Sequence, residues 1–113
     1  DLHLTVHSFP TRRSSDLFTT EIGFKGLQNP DEVGAAAVDY LRVAGHLVFG
    51  YLFARMAQVA LREIAAGNTD PFYGAKLQTA RFYFAKLFPE TATLMRTARA
   101  GSKVLMDTDL ALA

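Results

Sequence analysis

The sequence predicts an all-α fold: a long antiparallel helical hairpin, part of a helical bundle, with its second helix kinked at Pro89. Three observations carry that expectation. Two start signals, Asn29-Pro30 and Asn68-Thr69-Asp70-Pro71, each set a capping side chain ahead of a proline at the first helical position. Apolar residues at helical spacing come after each signal. A glycine then closes each run, at Gly67 and Gly101.

Each element has its own local signals. Residues 1–17 show no sustained helical period, and the alternation of Leu2, Leu4 and Val6 is at most a short strand signal. They also lack the basic start, apolar run and small-residue cleavage site of a signal peptide. The stretch from His7 to Leu17 resembles a peptide that arises when sequencing-adaptor sequence is translated. Residues 1–17 are therefore expected to be a disordered or artefactual tail, leaving 18–113 as the domain. In residues 18–28, Phe18, Ile22 and the Lys25 stem share a side, while Gly23 and Gly26 weaken the helix, so a short or frayed one is expected.

Pro30 to Ala66 reads as one helix about 55 Å long, with Asp31 and Glu32 placed against its positive end. Its polar side moves along its length. Asp31, Glu32, Asp39, Arg42 and His46 share one face, whereas Arg55, Gln58 and Arg62 mark nearly the opposite one. Between them Val43–Ala54 is apolar nearly all round, which calls for cover on all sides. Twelve such residues fall short of the ~20 needed to span a bilayer, so no transmembrane segment is expected. More cover is needed than one further helix supplies, and a missing partner surface is the inference.

The second helix, Phe72–Ala100, sets Tyr73, Leu77, Ala80, Phe84, Leu87, Phe88, Leu94, Met95 and Ala98 on one face. Lys76, Thr79, Lys86, Glu90, Thr93 and Thr97 lie opposite. Pro89 interrupts the run but not the phase of the stripe, hence a kink and not a break. Ser102–Leu110 adds at most one more short helix carrying Val104, Leu105 and Met106.

Composition excludes several functions. The chain has 113 residues, half of them hydrophobic, and a net charge of +1, which argues against disorder and against a nucleic-acid binder. With no cysteine there is no disulfide scaffold, thiolate metal site or cysteine nucleophile, and a reducing, cytoplasmic setting fits. His46, the one histidine after the tail, has no nucleophile or carboxylate at helical spacing, since Asp39 is two turns away and Arg42 opposes protonation. It is expected to be structural or interfacial. Glu63 joins Asp31 and Glu32 as a helix-end or surface acid, and no metal-ligand spacing or phosphate-cradling loop is present. Gly45 and Gly50 suggest close approach of another helix. In Arg81-Phe82-Tyr83-Phe84, Tyr83 and Phe84 read as core, and Phe82 as an exposed partner contact. No catalytic, cofactor-binding or metal residue is assigned.

Several separated segments agree in order with a known family. Asn29–Arg42 (NPDEVGAAAVDYLR), Gly50–Ala57 (GYLFARMA), Phe72–Phe84 (FYGAKLQTARFYF) and Leu87–Ala92 (LFPETA) resemble the C-terminal helical domain of bacterial acyl-CoA dehydrogenases. The branch is that of the larger flavoenzymes that include 3-methylmercaptopropionyl-CoA dehydrogenase, and the likeness covers about residues 18–106. The resemblance implies a parent that removes the α and β hydrogens of an acyl-CoA, with a glutamate base and hydride transfer to FAD. Those sites belong to upstream domains. No position here matches them, so neither Glu63 nor Glu90 is a candidate base. The resemblance further implies packing on the upstream catalytic body and homo-oligomer formation. Two other classes stay open: a free-standing helical interaction module, and a ligand-binding domain with a pocket near His46 and Tyr51.

Overall fold

In the computed structural model, residues 10–107 are described, and among them there is no strand. The helices are α1 (Pro10–Gln28), α2 (Pro30–Ala65), α3 (Pro71–Phe82), α4 (Glu90–Ala98) and the four-residue α5 (Lys103–Met106); a π-helical turn, Tyr83–Leu87, links α3 to α4. Of the expected tail, residues 10–17 belong to α1, and residues 1–9 lie outside the described residues.

α2 sets the dimensions. Its 36 residues span about 54 Å, and the molecule measures 66 × 27 × 17 Å. Its start obeys the sequence signal: the Asn29 side chain accepts the Asp31 N–H at 3.1 Å, with Pro30 inside the cap. Asp70 caps α3 in the same manner, taking the Phe72 N–H at 2.9 Å. Gly67 and Gly101 stop their helices with φ of +91° and +86°, values open to glycine at little cost.

α1 is longer and better packed than its glycines suggest. A single extended residue, Asn29, turns the chain so that α1 doubles back along α2. Phe18, fully buried, then stacks on Tyr40 at 5.9 Å, and the Thr19 and Tyr40 hydroxyls bond at 3.0 Å. Gly26 permits the close turn, because a Cβ there would collide with the Val33 side chain.

Among the described residues, two apolar clusters hold the helices together. One joins Phe18 and Ile22 of α1, Ala36 and Val43 of α2, and Leu94, Met95 and Ala98 of α4. The other joins Ala57 and Ala60 of α2 to Leu77 and Ala80 of α3, with Phe53, Tyr73 and Phe84 against them. Among the described residues, the first half of α2 thus has two helices beside it and the second half one. Polar ties reinforce the first cluster: Arg99 to Glu21 at 2.9 Å, and the Thr97 hydroxyl to Asp39 at 2.8 Å.

The second helix bends as expected, by a specific device. Pro89 has no N–H to donate, and its ring crowds the carbonyl four residues earlier. The chain answers with a wider turn in which the Phe88 N–H reaches the Tyr83 carbonyl, five residues back, at 2.8 Å. Two placements change as a result. Leu87, expected in the buried stripe, is 46% exposed, and Glu90, expected on the polar face, turns toward α2. Residues in a π turn advance by less than those in an α turn, so an ideal helical plot misplaces the residues beyond it.

Just past the bend, Thr91 is buried and its hydroxyl has no hydrogen-bond partner among the described residues. Thr91→Val keeps the shape and removes an unmatched polar group, so it is expected to stabilise the chain by about 1 kcal/mol. A thermal melt checks this: the midpoint should rise by several degrees, and a lowered midpoint would contradict the assignment.

The middle of α2 is not enclosed by the described residues. Val43, Gly50 and Ala54 are buried, but Val48, Phe49, Tyr51 and Leu52 are open. Gly45, expected to admit a close helix, has no atom of another helix within 4 Å of where a Cβ would stand. By length and composition alone α2 could cross a membrane, counting residues beyond the apolar middle. Its charged residues, and their polar partners on α1 and α4, are those of a helix packed among other helices.

Candidate functional site

Where the bent helix crosses α2, four polar side chains meet. His46 is 14% exposed, and both its ring nitrogens are engaged: Nδ1 lies 2.9 Å from the Tyr83 hydroxyl and Nε2 2.7 Å from Glu90 Oε2. Arg42, one turn earlier on α2, donates to the other Glu90 oxygen at 2.6 Å. The Tyr83 hydroxyl also donates to the His46 carbonyl at 3.0 Å. His46 therefore has a carboxylate partner after all, 44 residues away and invisible to helical spacing. Arg42, read as an opponent of His46, is bound to the same carboxylate.

An aromatic shell encloses the cluster on its apolar side. Tyr83 stacks on Phe53 at 4.6 Å and meets Phe49, Phe84 and Phe88 at 5.4–6.4 Å. Phe82, by contrast, is exposed, as its position in the sequence suggested.

The arrangement clamps helices together, tying α2 to the bent helix through both His46 ring nitrogens and both Glu90 oxygens. The hydroxyl that faces His46 is the Tyr83 phenol, which donates to the His46 carbonyl, and the described residues contain no group of three or more His, Asp or Glu suited to a metal ion. Tyr51, five residues further along α2, accepts from Arg55 at 3.2 Å. At the far end of α2, Glu32 is more than a helix-start acid. Its Oε1 accepts both the Ser102 hydroxyl at 2.7 Å and the Ser102 N–H at 3.3 Å, fastening the α4–α5 corner to the start of α2.

The ionisation of these groups gives stability a definite pH dependence. The His46 hydrogen bond, with Arg42 adding to it against some desolvation, holds the Glu90 carboxyl below its ordinary 4.5. Ser102, through its hydroxyl and then its N–H, does the same for Glu32. A carboxyl made more acidic by folding stabilises the native state above its ordinary pKa, and that support disappears as pH falls through the lowered value. Tyr83 behaves oppositely: burial pushes its phenol from 10.0 up to about 12. Its support is complete below pH 10 and is lost as pH rises toward about 12. Glu90→Gln should therefore flatten the acid limb of the stability curve and Tyr83→Phe the alkaline limb. Urea midpoints at about pH 3, 7 and 11 check both; a Glu90→Gln chain with an unchanged acid limb would refute the first.

Fold and cluster together define a helical-hairpin domain whose polar chemistry serves to hold its own helices in register. A family model described as acetyl-CoA dehydrogenase C-terminal like matches residues 14–109, and the chain belongs to that family. Searches of curated proteins and of solved structures returned no match.

Proposed function

We infer that the chain is the accessory C-terminal helical domain of an FAD-dependent acyl-CoA dehydrogenase, docking on the catalytic body and supporting subunit association. The observation that carries this is the uncovered apolar middle of α2, in a chain whose family match spans residues 14–109. Val48, Phe49, Tyr51 and Leu52 lie around the same helical turns as the buried Val43, Gly50 and Ala54, so their natural state is contact with another surface. The absence of cysteine suits work in a reducing cytoplasm.

No FAD site is assigned to this chain. Two clefts among the described residues, of about 290 and 360 Å³, lie open at opposite ends of the hairpin, and neither is lined by a glycine-rich phosphate turn. Hydride transfer and proton abstraction are accordingly assigned to the upstream body, and no step of them to this chain. What these residues contribute is a rigid docking element braced by the His46–Glu90–Arg42 clamp.

The gene upstream of the Phe18 codon provides the test. An in-frame acyl-CoA dehydrogenase body is expected there. Expressed separately, body and domain should form a stoichiometric complex with FAD on the body. A complete gene starting at the domain would make it a free-standing interaction module, and stoichiometric FAD binding by residues 18–113 alone would equally overturn the proposal.

A further inference from the structure

The near-neutral net charge conceals a polarised molecule. Residues 49–88 carry five basic side chains, Arg55, Arg62, Lys76, Arg81 and Lys86, against two acids. Both acids are engaged locally, Glu63 with the Asn68 amide and Asp70 as the cap of α3. Arg55 and Lys76 have no carboxylate at ion-pair distance among the described residues. Each lies over an aromatic ring instead, Arg55 over Tyr51 at 5.8 Å and Lys76 over Phe72 at 5.1 Å.

Those two cations border an apolar track. Opposite its buried side, α2 presents Val38, Leu41, Val48, Leu52, Met56 and Val59, between 36% and 72% exposed. They recur at steps that, with Gly45, keep a single line along the helix, the spacing of a helix–helix seam. The empty space beside Gly45 is room for a large side chain from the facing helix. Past Leu52 the track enters the groove of about 290 Å³ between α2 and α3, lined by Met56, Val59, Ala60 and Phe72 together with Arg55 and Lys76.

We propose that this track receives one amphipathic α-helix of a protein partner, apolar toward α2 and acidic along the flank that meets Arg55 and Lys76. The proposal deepens the docking reading and rests on it. Charge selects the occupant: a second copy aligned along α2 brings Arg55 against Arg55, its in-phase acids Asp31 and Glu63 standing only at the helix ends. Shape selects against a bilayer, because single-file side chains with a hole at Gly45 match a helix better than a plane.

Synthetic peptides of about three heptads, leucine at the seam positions and either glutamate or lysine on the flanks, provide the test against the full 113-residue chain. In fluorescence anisotropy the glutamate peptide is expected to bind at least tenfold more tightly, with the gap closing as salt is added. Leu52→Asp should abolish binding with the circular dichroism of the chain unchanged. Arg55→Ala combined with Lys76→Ala should keep apolar binding and lose the preference for glutamate. Equal affinity for both peptides would overturn the proposal. So would a Leu52-dependent dimer in ultracentrifugation, which makes a second copy the occupant, or Leu52-dependent binding to phosphatidylserine vesicles, which makes it a lipid surface. A catalytic body that still binds the Leu52→Asp chain would sink this surface and leave docking intact; a body that ignores the unaltered chain would sink docking itself.

Discussion

Tyr83→Ala is expected to cost about 3–5 kcal/mol of stability, as large-to-small changes of buried aromatics do. The ring is 5% exposed and touches Phe49, Phe53, Phe84 and Phe88, so its loss opens a cavity where the bent helix crosses α2. Whole domains have only about 5–15 kcal/mol in reserve. The variant should therefore unfold at a much lower urea concentration, as monitored by circular dichroism. Tyr83→Phe separates the contributions. It keeps the ring and removes the bonds to His46, for an expected loss of about 1 kcal/mol. An alanine variant as stable as the phenylalanine one would show that the crossing is not what couples the helices.

Phe18→Ala should have a similar local cost, about 3–5 kcal/mol, with a different outcome. The cluster that fixes α1 contains two of its residues, Phe18 and Ile22. Around them stand polar contacts with the partly exposed Glu21 and the Thr19–Tyr40 hydroxyl pair. Contacts of that kind contribute roughly 1 kcal/mol or less each. Without the ring, α1 should detach while the α2–α3 hairpin, held by its own cluster, stays folded. Hydrogen exchange distinguishes the two: α1 amides should lose protection and those of residues 57–80 keep it. Equal protection in both regions would show that α1 is anchored by something else.

The two effects differ because the molecule has two apolar clusters, and that division was only partly legible in the sequence. The hairpin was legible. Asn29-Pro30, Asp70-Pro71, Gly67 and Gly101 act through bonds and backbone angles within a few residues, and each does in the structure what its chemistry requires. The surplus of apolar surface on α2 was legible too, since a helix that changes its polar face cannot satisfy both sides with one neighbour. α1 was underestimated, because Gly23 and Gly26 weaken an isolated helix, whereas packing on Tyr40 and the tight turn at Gly26 depend on α2.

The clamp was legible as residues but not as a site. His46 stood out as a lone polar residue in an apolar stretch, yet its partner Glu90 was assigned to the opposite face. A helical plot assumes uniform α geometry, and the π turn ahead of Pro89 departs from it. Pro89 itself was the available signal, since a proline inside a periodic run announces altered hydrogen bonding nearby.

The sequence by itself determined where the helices begin, bend and end, and which family the segments resemble. These depend on caps, prolines, glycines and apolar period, all local properties of the chain. Only the tertiary structure decided that Glu90 reaches His46, that Glu32 fastens Ser102, and that one line of α2 remains bare with cations beside it. Such pairings join residues tens of positions apart, and their geometry comes from how the bent helix lies on α2.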